Sequence, residues 1–163
     1  MMYAEFLWPA GLSLLLATGA LSDIKDRRLP NWLSLLLLVF GLAHAVAVGG
    51  LQDLGWLYAM GWHSLHAVIA LAVGAALFAG GIIGGGDAKF YAGLASYFTL
   101  SQGFDLLLWV SILGFFTIIA WMIGRRILPS QKAVTNSLKA KFPYGVAIAG
   151  GGIALAWLPM ISV

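Results

Sequence analysis

Cysteine is absent from the 163 residues of this chain, and only 9% of them are charged. Without cysteine the chain has no disulfide framework, no thiol nucleophile and no thiolate ligand for a metal ion. The charged fraction is far below the roughly 25% of a typical soluble domain. Composition therefore excludes a soluble globular protein and every enzyme class that depends on a cysteine.

Lys and Arg are missing from the first ten residues, MMYAEFLWPA, which carry one charge, on Glu5. A cleavable signal peptide begins with a basic region, so the first hydrophobic segment is predicted to remain as a permanent span. Hydrophobic residues, by contrast, make up 61% of the chain. Because about 20 apolar residues cross a bilayer core of about 30 Å, the length accommodates about six spans and no separate soluble domain.

The hydropathy pattern predicts an all-α fold, a polytopic membrane helical bundle that forms one domain over residues 1–163. The hydrophobic segments are 5–22, 32–49, 64–83, 88–102, 105–124 and 143–161. The fourth is short and polar for a span. It is predicted either as a short tilted helix packed inside the bundle or as a re-entrant element that protein shields from lipid.

All nine basic residues fall on one side of the membrane if the six segments cross in turn. The opposite loops contain Glu5, Asp53 and Asp105. The positive-inside rule then makes the basic side cytoplasmic, with both termini outside. We expect the basic stretch 125–142 to contact membrane lipid, and no nucleic-acid partner is predicted. The basic residues are Lys25, Arg27, Arg28, Lys89, Arg125, Arg126, Lys132, Lys139 and Lys141.

Three acidic residues lie at the predicted cytoplasmic boundary. Asp23 and Asp26 occur in SDIKDRRLPN, and Asp87 ends the glycine run of GGIIGGGDAK. Charged side chains inside a bilayer cost roughly 2.5–3.5 kcal/mol, so these residues are candidates for a functional site. Asp26 stands beside Arg27 in a basic loop, where a solvated ion pair accounts for it. Asp23 is nearer the hydrophobic segment and is the better partner for Asp87.

Two carboxylates held together in a low-dielectric site share a proton, because both cannot ionise comfortably. One then activates a water molecule, while its protonated partner polarises a carbonyl and helps to protonate the leaving amine. This is the chemistry of an aspartic protease. It needs no cysteine, serine, metal ion or other cofactor, and none is predicted. His63 and His66 stand three apart, but no third ligand is evident beside them.

The residues around the aspartates carry further predictions. Gly84, Gly85 and Gly86 can adopt positive φ and expose the backbone to a substrate strand, whereas the preceding pair, at 80 and 81, is predicted to pack helices. Pro30 breaks the helical pattern, and Asn31 is predicted to cap the span that follows. Lys89 is interpreted either as a partner of a carboxylate or substrate carbonyl, or as a membrane anchor.

At these residues the sequence resembles the type IV prepilin peptidases, which are GxGD-type aspartyl proteases. SDIKDRRLPN is similar to the family's first aspartate motif, the stretch from Gly84 to Lys89 fits its GxGD motif, and FPYGVAIAGG resembles the start of its last helix. The resemblance implies that Asp23 and Asp87 form the catalytic pair. It also favours a substrate-binding platform at Pro143 and Gly145 over an ordinary helix start.

The resemblance implies an inner-membrane enzyme that cleaves a basic leader from prepilins, just before the prepilin's hydrophobic helix. Because the chain begins at its first span and lacks cysteine, it looks like the short, peptidase-only kind associated with Flp/Tad pili, without the N-terminal methyltransferase region. The sequence leaves open whether the chain forms a homo-oligomer. Two alternatives also remain open: a GxGD protease with other membrane substrates, and a proton- or ion-coupled transport component.

Overall fold

The computed structural model describes residues 2–51, 54–127 and 144–161, and the side chains of 6–51, 54–124 and 144–158. Every regular element in these ranges is helical, which confirms the predicted all-α class. Four helices are long and apolar enough to cross a membrane, and the last is a shorter apolar helix. The α-helices are α1 (Met2–Asp26), α2 (Asn31–Gly49), α3 (Gly55–Ala79), α4 (Gly85–Ala95), α5 (Gly103–Ile127) and α6 (Tyr144–Ile161).

Helices α1 and α6 run in opposite directions. At one end of the bundle the Gly145 N–H at the start of α6 reaches Asp23 near the end of α1. Towards the other end Trp157 of α6 donates its Nε1–H to the Ser13 hydroxyl of α1 at 3.0 Å. We call the end that holds Asp23 and Asp87 the aspartate end. It contains the last turns of α1 and α3 and the first turns of α2, α4 and α6.

The fourth helix differs from the predicted segment 88–102, because it begins at Gly85 and ends at Ala95. It has 11 residues, which at 1.5 Å each extend about 16 Å, roughly half the bilayer core. It packs against α2, α3 and α6, and all residues from Ala92 to Phe98 are buried. A turn at 96–99 and a 3₁₀ helix, Leu100–Gln102, then lead into α5. Of the two interpretations of this segment, the short helix inside the bundle is the observed one.

Two histidines of α3 satisfy the backbone where α4 ends inside the bundle. A helix leaves its last carbonyl groups without partners, and the membrane interior supplies no water to bind them. His63 Nδ1–H donates to the Ser96 carbonyl oxygen at 2.9 Å, and His66 Nδ1–H donates to that of Phe98 at 3.1 Å. Both side chains are buried. Among the described residues no group of three or more His, Cys, Asp or Glu is placed to hold a metal ion.

Glycines allow α4 to approach its neighbours closely. A Cβ added to Gly41 of α2 would lie 2.6 Å from the backbone carbonyl carbon of Ser96 and from the backbone nitrogen of Tyr97. A Cβ on Gly93 of α4 would lie 2.6 Å from the Ser34 carbonyl oxygen of α2. Small residues serve the same purpose at helix contacts in membrane proteins generally. The α2–α4 contact is therefore backbone against backbone.

The predicted packing role of Gly80 and Gly81 is wrong. Both are exposed, and Gly81 has a φ of 72° with no atom within 4 Å of an added Cβ. The Gly81 N–H donates to the Phe78 carbonyl at 2.9 Å, and the Ile82 N–H donates to that of Leu77 at 3.0 Å. This pattern is a Schellman motif, which ends a helix at a glycine in the left-handed conformation.

The third segment begins earlier than predicted, at Gly55 rather than residue 64, and ends at Ala79 rather than residue 83. The stretch GWLYAMGWH contains polar and small residues that lower its hydropathy, yet it continues the same helix. The ends of the other long helices lie within a few residues of the predicted ones. Asp53, Lys132, Lys139 and Lys141 lie outside the described residues.

The α2–α4 contact yields a stability prediction. We expect Gly41→Ala to lower the free energy of unfolding by roughly 1–3 kcal/mol, because the new methyl group meets backbone that cannot move without shifting a helix. Gly61→Ala is the matched control, since nothing lies within 4 Å of its added Cβ. Thermal unfolding in detergent measures both variants. Equal melting temperatures for the two would contradict the close approach.

Candidate active site

Asp23 and Asp87 line the same cavity at the aspartate end of the bundle. The cavity has a volume of about 570 Å³ and lies between the end of α1, the turn that follows it, the end of α3 and the starts of α4 and α6. Two carboxylates far apart in the sequence therefore meet in one space. The other lining residues are Arg27, Arg28, Leu29, Asn31, Phe78, Gly81, Ile82, Ile83, Gly84, Gly85, Gly86 and Tyr144.

Asp23 is a buried carboxylate fixed by the backbone of a different helix. Its side chain is 6% exposed, and its Oδ2 accepts the N–H of Gly145 at 2.8 Å. Burial disfavours the charged form of this carboxyl, whereas the Gly145 N–H and the positive charge of Arg27 favour it. The hydrogen bond gives the side chain a defined orientation inside the cavity.

Asp87 is fixed by its own helix. Gly84 is the N-cap of α4, and Asp87, three residues later, accepts the Gly84 N–H on its Oδ2 at 3.2 Å. This is one half of a capping box, and a carboxylate in a first helical turn is also stabilised by the helix dipole. The local GGGD sequence therefore supplies a backbone donor that orients the second carboxylate.

The three glycines before Asp87 act through their lack of a side chain, since none has a positive φ. A Cβ on Gly84 would lie 2.6 Å from Asp87 Oδ2, and one on Gly85 would lie 3.3 Å from the Phe78 ring. Gly86 has only ordinary clearance, 3.6 Å from Leu29. These glycines do not adopt the positive φ that the sequence allowed. The need for a residue without a side chain is strongest at Gly84, where the added Cβ would come closest to another atom.

The predicted cap at Asn31 is also wrong. Pro30 occupies the N-cap position of α2, with φ −69° and ψ 138°, and no side chain caps the helix. Asn31 is the first helical residue, and its Oδ1 accepts a hydrogen bond from Lys89 Nζ at 3.2 Å. Lys89 therefore ties the start of α4 to the start of α2 at the rim of the cavity. Pro30 does break the helical pattern, as predicted.

Gly145 permits the close contact between α6 and α1. A Cβ at this position would lie 2.9 Å from Asp23 Oδ2 and 3.0 Å from its Cβ. Pro143, the other predicted platform residue, lies outside the described residues. Asp26 is exposed and does not line the cavity. Spacing alone left open which aspartate of the first motif faces Asp87, and in the structure Asp23 is the one that lines the cavity.

Sequence reasoning missed three residues that shape the cavity wall, namely Phe78, Ile83 and Tyr144. Tyr144 is the most informative of them because it stands beside Gly145 at the start of α6. The quoted FPYG stretch contains it, but an aromatic residue at a helix start carries no chemical signal by itself. Phe78 and Ile83 look like ordinary membrane residues in the sequence, and only the packing of α3 against α4 brings them here.

The family model described as the type IV leader peptidase family matches residues 10–119, which is more than half of the chain and includes both aspartate motifs. No curated protein and no solved structure matches the chain. Proteins of this family are membrane proteases that act on prepilins, and the apolar helices described above agree with that setting. The chain belongs to the type IV leader peptidase family.

Proposed function

We propose that this protease is an aspartic endopeptidase that removes the leader from Flp-type prepilins at the cytoplasmic face of the inner membrane, with Asp23 and Asp87 as its catalytic pair. The observation that carries the proposal is their common cavity of about 570 Å³. Both carboxylates are oriented by backbone N–H groups, from Gly145 and Gly84. Preorganisation of this kind is what two-carboxylate catalysis requires.

The reaction follows from two carboxyl groups that hold one proton between them. The ionised carboxylate takes a proton from water as the water oxygen attacks the scissile carbonyl carbon. The protonated carboxyl donates its proton to the carbonyl oxygen. When the tetrahedral intermediate collapses, the C–N bond breaks and the leaving amine takes a proton from the first carboxyl, while the second carboxylate takes back the proton that it gave to the carbonyl oxygen. The backbone N–H groups of Gly145 and Gly84 orient the two carboxyl groups and take no part in these proton transfers.

The distribution of acidic residues also opposes the transport alternative. A pathway built from carboxylates would place acidic groups along the depth of the membrane. Among the described acidic side chains, Asp23 and Asp87 line the cavity at one end, and Asp26 and Asp105 are exposed. This arrangement supports a reaction at one face of the membrane.

Substitution of the two carboxylates tests the catalytic pair. We expect Asp23→Asn and Asp87→Asn each to abolish leader cleavage, because an amide cannot accept or deliver the shared proton. The assay is co-expression with a Flp-type prepilin, followed by mass spectrometry of the pilin N-terminus.

Asp26→Asn is the matched control for this assay, since it changes an exposed acid three residues from Asp23 and should leave cleavage intact. Protein amount in the membrane must be equal for all variants. Full cleavage by both the Asp23 and Asp87 variants would refute the mechanism. Failure of a well-expressed wild type to cleave several Flp-type prepilins would refute the proposed substrate.

Gly145 provides a second test, directed at the orientation of Asp23. We expect Gly145→Ala to slow cleavage by roughly tenfold to a hundredfold, since its methyl group would displace the carboxylate and small misplacements cost rates of that order. Gly150→Ala on the same helix is the control, with 3.4 Å to its nearest neighbour, Leu113. Initial rates at matched protein levels measure the effect, and equal rates for both variants would argue against the contact.

The proposed orientation rests on the basic residues, because Lys25, Arg27, Arg28 and Lys89 all lie at the aspartate end. The chain lacks cysteine, so single cysteines can report the side of the membrane. We expect a membrane-impermeant maleimide to label Leu51→Cys in intact cells, and Lys25→Cys only after the inner membrane is opened. Both positions are exposed. The reverse pattern would place the aspartate end outside.

A further inference from the structure

A second cavity lies on the other side of Asp87. It has a volume of about 480 Å³ and is bounded by α3, α4, α5 and α6. Its wall is almost entirely apolar, and Asp87 is the single Asp, Glu, Lys or Arg among the described residues that line it. Representative wall residues are Val73, Leu77, Leu107 and Ile148. We call this cavity the apolar groove.

The apolar groove continues the candidate active site. Asp87, Ile83 and Tyr144 line both cavities, so Asp87 stands at the junction between them. A peptide whose scissile bond lies at Asp87 thus has a polar cavity on one side of that bond and an apolar one on the other. The junction matches a substrate that changes from hydrophilic to hydrophobic at its cleavage site.

The dimensions of the apolar groove fit one face of a helix. Along α3 it extends from Leu77 to His66, a rise of about 16 Å at 1.5 Å per residue, or about three turns. The groove is open at its mouth, where Val73 is 55% and Leu107 57% exposed. A helix about 10 Å in diameter can therefore place the side chains of one face in the groove while its body stays at the mouth.

We propose that the apolar groove binds the first three turns of the prepilin's hydrophobic helix, directly after the scissile bond. This inference rests on the proposed function and adds the site at which the substrate helix is held. The polar cavity then receives the leader side of the same bond. A lipid acyl chain matches the apolar lining, but it does not explain why the groove opens onto Asp87.

Disulfide cross-linking tests the proposal, because the natural chain contributes no cysteine of its own. Val73→Cys and Ile69→Cys place thiols in the apolar groove, and Val68→Cys is the control. Val68 is 62% exposed on the same helix and does not line the groove. Each variant, combined with Asp23→Asn to keep the substrate intact, is co-expressed with a Flp-type prepilin that carries one cysteine scanned along its hydrophobic helix.

We expect Val73→Cys and Ile69→Cys to cross-link with the prepilin and Val68→Cys to give at least tenfold less product. Position 69 lies four residues, or about 6 Å, farther from the aspartate end than position 73. Its best substrate partner should therefore lie about four residues farther from the scissile bond. This shift in register separates a seated helix from random collisions in the membrane.

The same variants with Asp23 intact are assayed for leader cleavage, so that the two proposals are judged separately. Cleavage without cross-linking at position 73, or equal cross-linking at 68 and 73, overturns the apolar groove as the binding site. Cross-linking in the expected register, with no cleavage by the wild type, retains the apolar groove as a binding site and refutes the proposed cleavage of Flp-type prepilins.

Discussion

The arrangement depends on one constraint, which is that α4 begins and ends inside a membrane protein and must have its backbone groups satisfied there. A helix of 11 residues cannot reach both membrane surfaces. Protein donors replace water at its far end, where His63 and His66 bind the carbonyls of the following turn. At its near end the Asp87 carboxylate accepts the Gly84 N–H. The same carboxylate thus completes the helix and faces the cavity.

Both candidate catalytic residues are held at helix N-termini, although by different routes. Asp87 belongs to the first turn of α4, so the local sequence places it. Asp23 belongs to the last turn of α1 and meets the first turn of α6 through Gly145. Helix N-termini carry unpaired N–H groups and partial positive charge. Each carboxylate therefore accepts a backbone N–H and lies near the partial positive charge of a helix N-terminus. Lipid provides neither.

The sequence predicts the two aspartates of this site better than it predicts the contacts that hold the surrounding helices in place. Charge at a hydrophobic boundary is costly, so Asp23 and Asp87 stand out from a single chain. The Asn31 cap was predicted wrongly because Pro30 takes the N-cap position, and the distant Lys89 provides Asn31 with a partner. Hydropathy placed the fourth segment at 88–102, whereas α4 runs from Gly85 to Ala95, because burial among α2, α3 and α6 replaces lipid as the environment of α4. No local pattern reports such tertiary contacts.

The short α4 also explains why a polar cavity and an apolar one can share a wall. α3 packs mainly on α2 and α4, and α5 packs mainly on α6. The space between α3 and α5 is then left without a full-length helix to fill it, and the apolar groove occupies this space. Asp87, at the first turn of α4, is the point at which the groove meets the polar cavity. A protease that cleaves beside a hydrophobic helix needs such a junction, because the scissile bond requires water and the helix requires an apolar surface.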